Sequence, residues 1–470
     1  MTDRTTPDRG TKVLQGVLVP LALAQFICSF AGSNMNVMIN DMSKDLDTTV
    51  QGIQLAITIF LLVMAALMIP GGKLTDRYGR KRCFNVGLAL YAVGALLSAA
   101  APGLGILILG NSILEGVGTA LLIPPVYILC TLTFTGVSSR ARAFGAISAA
   151  GGVGAATGPL IGGLITTAIS WRASFVFQAL VIALIIVLGR RIEDPLPADP
   201  TRPFDTRGAV LSASGLILLV MGIMAADNNL WLMLALMAAG ALLLLWFFLS
   251  VRALERKGEE PLLSSSLFRV GRSNLGLVTQ NAQWLMLMGV SFVAAAYLQV
   301  VRGYNAIDTG LIFTAATVGI LASSLAAARL AKRWAQRTLV LAGFLVTVGG
   351  IGVLLAMVHG SPSAWAFAPG LFLTGLGVGT MLTPSINIVQ SSFGEDRQGE
   401  ISGLSRSVSN LGSSLGTAIA GTILVAGITA TPGRAYGLAM VVLAAVGVLG
   451  FGVALFLPRD PTPRGATTSG

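Results

Sequence analysis

An all-α polytopic membrane protein of fourteen spans is the fold class that this sequence predicts, and three observations carry the prediction. The 470 residues are 54% hydrophobic and only 11% charged, whereas soluble domains carry roughly a quarter charged residues. So little polar surface cannot dissolve a chain of this length. Fourteen apolar stretches also approach the ~20 residues that a helix needs to cross hydrocarbon, with only short loops between them. Finally, the positive charge is gathered on alternate loops. Backbone embedded in lipid must satisfy its own hydrogen bonds, which helices do, and no alternating ten-residue barrel pattern is present.

Cutting at prolines, glycines and charge clusters places the spans at 13–38, 50–71, 83–101, 104–129, 143–168, 173–189, 208–226, 230–251, 275–300, 309–328, 338–358, 366–390, 404–428 and 436–457. The first run is too long for a signal-peptide core and lacks a small-residue cleavage site, so it is read as a retained helix. With the N-terminus cytoplasmic, every one of the 31 lysines and arginines falls on the cytoplasmic side except Lys44, Arg172, Arg302 and Arg434. The positive-inside rule then requires an even number of spans and puts both termini in the cytoplasm. A twelve-span reading would discard 208–226 and 230–251, which are as apolar as the rest. Cys28, Cys83 and Cys130 are odd in number and far apart, so neither a disulfide framework nor a metal site is expected. The formal charge of +11 is explained by topology and implies no nucleic-acid partner.

The connection between spans 2 and 3 reads Gly72-Lys73-Leu74-Thr75-Asp76-Arg77-Tyr78-Gly79-Arg80-Lys81-Arg82, a tight turn with one acid among five bases. Asp76 can cap a helix N-terminus or pair with a base, an interaction that a conformational change could break. A purely topogenic loop would need the bases but not the embedded acid or the two glycines. In span 5, Gly154, Gly158 and Gly162 line one face, followed by Pro159 and Gly163. The glycines form a flat strip for a neighbouring helix, and the proline removes an amide donor and bends the span.

These two segments closely resemble the loop signature and the antiporter motif of the major facilitator superfamily. Trp171-Arg172, Phe204-Asp205, Pro261-Leu262-Leu263, Leu267-Phe268-Arg269, Tyr297-Leu298-Gln299 and Gly303-Tyr304 are similar to its fourteen-span drug/proton antiporter group. The resemblance implies the major facilitator fold, with two six-helix bundles at 13–190 and 275–457 and alternating access by rocking of the halves. It further implies a linker, 191–274, carrying the two inserted helices, and cytoplasmic tails at 1–12 and 458–470. Arg329-Leu330-Ala331-Lys332-Arg333-Trp334 reads as a decayed second copy of the loop signature, lacking the acid. Gly72, Asp76, Arg77, Gly79 and Arg80 would be the gating loop. Export is favoured, because the span 5 motif is generally missing from the uptake symporters. The group's usual acid in span 1 falls on Ala31, and its usual arginine in span 4 falls in Asn111-Ser112-Ile113-Leu114-Glu115. Proton coupling by that pair is therefore not carried over.

Of the 20 acids, only Glu115 lies deep in hydrocarbon, near the middle of span 4, while Asp41 and Asp227 sit at span ends. An intramembrane carboxyl is costly and is a functional candidate by default. Alternately dry and wet, Glu115 would bind and release a proton. The competing reading is a permanently bonded acid that ties span 4 to its neighbours, served by Asn111, Ser112 and Thr119 one turn away. Polar residues recur at helical spacing in span 1 (Gln25, Ser29, Ser33, Asn36, Asn40) and span 12 (Thr380, Thr383, Asn387, Gln390). Span 9 adds Gln280, Gln283 and Trp284. Such stripes either line a wet cavity or bond helix to helix. With spans 1, 4, 9 and 12 around the cavity of the resembled fold, the candidate substrate contacts are Gln25, Ser33, Asn36, Asn111, Gln280, Gln283, Trp284, Thr383 and Asn387.

An enzyme is not expected: the single histidine, His359, lies in an outer loop, and no cluster has metal-ligand spacing. An ATP-driven pump is excluded because Gly72-Lys73 follows Leu67 where a phosphate loop needs glycine, and Leu74 follows where it needs serine or threonine. The sequence predicts a secondary transporter that exports lipophilic small molecules in exchange for protons. It would act without a cofactor or metal, as a monomer among membrane lipids, in a bacterial inner membrane. The sparse charge points to neutral or monocationic substrates. Export of a lipid or natural metabolite, or uncoupled facilitation, is the alternative.

Overall fold

The computed structural model describes residues 8–458 apart from 135–136, 191, 195–197, 202, 227–228, 361–362 and 395–396. Asp227 and most of the two terminal tails thus lie outside the described residues. Fourteen long helices follow the apolar stretches in order: α1 Asp8–Asn34, α2 Val50–Tyr78, α3 Arg80–Ala99, α4 Leu104–Thr133, α5 Val137–Ala168, α6 Trp171–Gly189 and α7 Thr206–Met224. The second half comprises α8 Leu230–Arg256, α9 Gly271–Ala296, α10 Ala306–Arg333, α11 Gln336–Gly360, α12 Ala368–Gln390, α13 Gln398–Gly427 and α14 Pro432–Ala454. Thirteen pass as unbroken membrane helices, and α5 makes the fourteenth if its two arms, which meet at 42°, count as one span.

Local chemistry sets the helix starts. Side-chain oxygens of Thr49, Asp205, Asn229 and Asn305 accept from the N–H groups of Gly52, Gly208, Leu232 and Asp308 at 3.1, 2.7, 3.1 and 2.8 Å. Each satisfies an amide that the helix geometry leaves unpaired. The bend in α5 falls at Ala155–Thr157, where the ring of Pro159 displaces the carbonyl four residues earlier and deletes its bond. In α4 the stretch Ile108–Glu115 is π-helical, a wider turn often found at functional positions.

Helices α1 to α6 pack chiefly on one another, as do α9 to α14, and the two groups meet along two seams, α2 against α13 and α5 against α10. Helices α7 and α8 form a hairpin. Although they separate the halves in the chain, they do not separate them in space. Val220 and Met224 of α7 cover the α2/α13 seam, packing against Leu62 and Ala418, and a second apolar cluster joins Leu211, Phe247 and Val251 of the hairpin to Ile401 and Leu404 of α13.

Candidate functional site

The basic connection between spans 2 and 3 is the tight turn that its residues suggest, and tighter still than the eleven-residue segment. Helix α2 continues through Gly72, Asp76 and Arg77 to Tyr78, and the reversal is confined to Gly79, whose φ of +93° lies in the region that favours glycine. Asp76 pairs with Arg80 across this break, Oδ1 accepting from the guanidinium at 3.1 Å. Of the two roles open to Asp76, it takes the pairing one; the helix cap is Asp194, from the chain after α6. Its Oδ2 accepts from the N–H groups of Arg80 and Lys81 at 2.6 and 3.2 Å, placing a carboxylate on the positive end of α3. An open cavity of about 490 Å³ lies beside this junction, lined by Tyr78, Gly79, Lys81, Arg82 and Asp194 among others.

The span 5 motif serves two neighbours. A Cβ on Gly154 would lie 2.2 Å from Phe26 O, one on Gly158 would lie 2.0 Å from Ser33 Oγ, and one on Gly162 would lie 3.0 Å from Asn34 Cβ. These three glycines therefore seat α1 within its own group of helices. On another face, a Cβ on Gly163 would lie 2.4 Å from Ala306 O, while Pro159 O approaches Gly310 of α10. Ile307 N–H also donates to Thr167 Oγ1 at 3.1 Å. Without the missing methylenes this seam could not close to backbone contact.

Glu115 ends the π-helical turn of α4, is fully buried, and is the only buried acid among the described residues. It lies against α3, where a Cβ on Gly94 would come within 2.9 Å of its Cγ. The helpers expected from its own helix are elsewhere. Ser112 Oγ donates to Ala56 O of α2 at 2.7 Å, and Asn111 Nδ2 and Thr119 Oγ1 have no partner. For Asn111 the wide turn accounts for this, because residues four apart no longer stack where bonds run from i to i+5. The carboxyl borders the hydroxyls of Tyr91 and Ser98, whose protons go to Gln178 Oε1 at 2.6 Å and Gly94 O at 2.8 Å. Both carboxyl oxygens are left without a partner. The neighbouring hydroxyl oxygens can only accept here, so a bond to Glu115 forms when the carboxyl itself is the donor.

The remaining candidates take part in several separate contacts. Gln25 Nε2 donates to Ser29 Oγ at 3.1 Å, and Ser33 Oγ bonds Phe30 O at 3.2 Å beneath Gly158. Gln280 Oε1 accepts from Ser405 Oγ of α13 at 2.9 Å, and Gln283 Oε1 accepts from Ser385 Oγ of α12 at 3.0 Å. Both glutamines are about as buried as core leucines, so their polar groups join helices to one another in this conformation. Asn111 is buried against its neighbours, Trp284 is half-buried, and Thr383 and Asn387 are exposed on α12.

Four residues that sequence reasoning passed over connect the two groups of helices. Gln54 Nε2 of α2 donates to Thr417 O, Ala418 O and Thr422 Oγ1 of α13 at 3.0, 3.3 and 3.3 Å. Gln299, at the end of α9, bonds the backbone of Asn36 and Asn40 beyond α1. Arg406 of α13 donates to Tyr127 Oη of α4, its guanidinium carbon 5.2 Å from the ring centroid. Tyr127 in turn donates to Gln25 Oε1 at 3.1 Å and stacks on Phe144 at 5.9 Å. Arg406, one of the positive charges of the cytoplasmic side, stands eight residues inside α13. A polar stripe of Gln51, Gln54 and Thr58 in an apolar span was the available signal for Gln54.

Comparison with known proteins accords with this architecture. The profile described as Major Facilitator Superfamily matches residues 21–272 and 276–470. The chain is 30% identical over 416 residues to the puromycin resistance protein pur8 of Streptomyces alboniger, covering 86% of this chain and 81% of that protein. It is 31% identical over 371 residues to the multidrug efflux pump LfrA of Mycolicibacterium smegmatis, covering 79% and 73% respectively. Among solved structures, a peptide transporter POT in complex with sulfate superposes with a TM-score of 0.69 at 18% identity, covering 94% of this chain and 95% of that one. With both halves of the chain matched, this multi-pass membrane protein is a transporter and belongs to the major facilitator superfamily.

Proposed function

We propose that the protein exports lipophilic small molecules in exchange for protons by alternating access, with Glu115 as the proton site. The observation that carries the coupling is the carboxyl itself: an acid fully buried in a membrane helix, with neither oxygen bonded and no base beside it. A permanently structural role is served better by a glutamine, which has no ionisation penalty. A transient proton carrier needs this combination of dryness and an unfilled bonding capacity. The direction of transport is supported by relatives named for drug resistance and efflux. Gly154, Gly158 and Gly162 would hold α1 to α5 as a unit, while Pro159 and Gly163 form the surface that parts from α10. Gly72, Asp76, Arg77, Gly79 and Arg80 would be remade on the cytoplasmic side as the halves rock.

Purified wild type and Glu115→Gln are reconstituted in liposomes containing a pH-sensitive dye, and a panel of cationic, neutral and anionic lipophilic dyes is added under an imposed proton gradient. Wild type should exchange protons for at least one dye, and the variant should bind that dye without moving protons. A variant that couples as wild type does removes Glu115 from the role. A wild type that moves dye indifferently to the gradient points to uncoupled facilitation.

A further inference from the structure

We propose that Arg406 recognises an acidic group on the transported molecule, so that lipophilic aromatic monoanions are the favoured substrates. The proposal rests on the export reading above for the premise that the space between the two groups of helices is a transport path.

The argument begins with position. Arg406 lies eight residues after the start of the 30-residue helix α13, roughly 12 Å along its axis at about 1.5 Å per residue. It projects across to α4 of the other group, where its bonding partner is a phenol, not a carboxylate. No carboxylate among the described residues lies within ion-pairing distance of it. Glu400, one and a half turns back on α13, is occupied by Arg397 and by the N–H of Ser264. Glu115 is twelve residues from Tyr127 on α4, roughly 18 Å away along that helix. A guanidinium packed between the two groups of helices is thus left without a counter-charge, a costly arrangement that calls for a partner.

The remaining chemistry specifies that partner. Guanidinium offers five donors in a planar fork that matches the two oxygens of a carboxylate or sulfonate. One of its groups is engaged by Tyr127, and Arg406 is half-buried, not sealed. Beside it stand the rings of Tyr127 and Phe144, stacked with an interplanar angle of 19°, aromatic neighbours for an aromatic body. Gln25, whose Oε1 holds the Tyr127 hydroxyl, fixes the ring that an entering anion would displace from Arg406. The expectation of neutral or monocationic substrates arose from the sparse acids. It inverts once the acid proves to be buried against α3 and the base proves to stand at the interface. Exchange of a monoanion for an inward proton also moves two charges in the direction that an inside-negative potential drives.

The test compares three probes that share a naphthalene body and carry an anionic, a neutral or a cationic group, 2-naphthalenesulfonate, 2-naphthamide and 2-naphthylmethylammonium, by calorimetric binding to the purified full chain without any gradient. Wild type should bind the sulfonate at least tenfold more tightly than the ammonium. Arg406→Gln should lose that preference while its affinity for the amide stays within twofold, and Arg406→Lys, which keeps the charge but not the planar fork, should retain part of it; a misfolded Gln variant is recognised by failure to bind the amide. Equal binding of the three probes by wild type, absence of sulfonate binding, or an unchanged preference in Arg406→Gln with the Lys variant as control overturns the proposal. Because binding at equilibrium needs no proton movement, this result and the coupling result on Glu115 can fail independently.

Discussion

Gln299 closes the outer end of the molecule through Asn36: its Nε2 donates to the Asn36 carbonyl at 2.7 Å, while its Oε1 accepts from the Asn40 N–H at 3.2 Å. A single amide thereby joins the end of α9 to the chain beyond α1, and Gln54 makes the corresponding bridge between α2 and α13. Both bridges would break if the outer ends separated, so they stabilise the conformation closed on that side.

Replacing Gln299 with leucine removes two bonds worth together about 1–3 kcal/mol. The expected outcome is a fivefold to hundredfold shift toward the outward-open conformation, read as faster labelling of single cysteines placed in the outer half of α9 and α13. Unchanged labelling rates would show that the closure rests on the helix seams alone.

The two faces of α5 should respond differently to an added methyl. Gly154→Ala presses on Phe26 O inside one group of helices and should lower thermal stability in every conformation, by the roughly 1–3 kcal/mol typical of overpacking. Gly163→Ala presses on Ala306 O across the seam. It should leave the melting temperature of the outward-open state near that of wild type and depopulate the closed one. Melting curves and cysteine labelling on the same pair of variants check both outcomes.

Asp194→Ala should destabilise the start of α3, because two of its amides lose their acceptor. The expected loss is that of a helix cap, about 0.5–2 kcal/mol, and Asp194→Asn should restore part of it. Hydrogen exchange at residues 80–83, faster in the alanine variant and intermediate in the asparagine variant, is the direct measurement.

Asp41 supplies a pH signature outside the spans. Partial burial pushes its carboxyl above the ordinary 3.8, against the opposing pull of Lys44. The carboxylate is therefore the disfavoured form in the folded chain, and the group's contribution to stability is present below its unfolded value and lost as pH rises through the raised folded value. Asp41→Asn should consequently raise the melting temperature at pH 7 slightly, with the advantage shrinking as the solution is acidified toward pH 4. An advantage that is constant with pH would assign the effect to packing.

The number and order of the helices were legible in the sequence because hydrophobic length is a local property, and a bilayer leaves the backbone no alternative to the helix. The burial of Glu115 was legible for the same reason, as was the flat strip of Gly154, Gly158 and Gly162, since spacing alone puts residues on a face. Which neighbour each face meets was not. Gln280 and Gln283 bond Ser405 and Ser385, Asp194 and not Asp76 caps α3, and Arg406 finds Tyr127 from 279 residues away. The π-helical turn rotated Asn111 away from Glu115, and an unbroken α2 carried Asp76 to a helix end. Hydropathy and charge therefore determined where the chain crosses the membrane; only the packing of distant helices, through contacts that no local pattern encodes, decided which polar side chains hold the fold and which stand ready for a ligand.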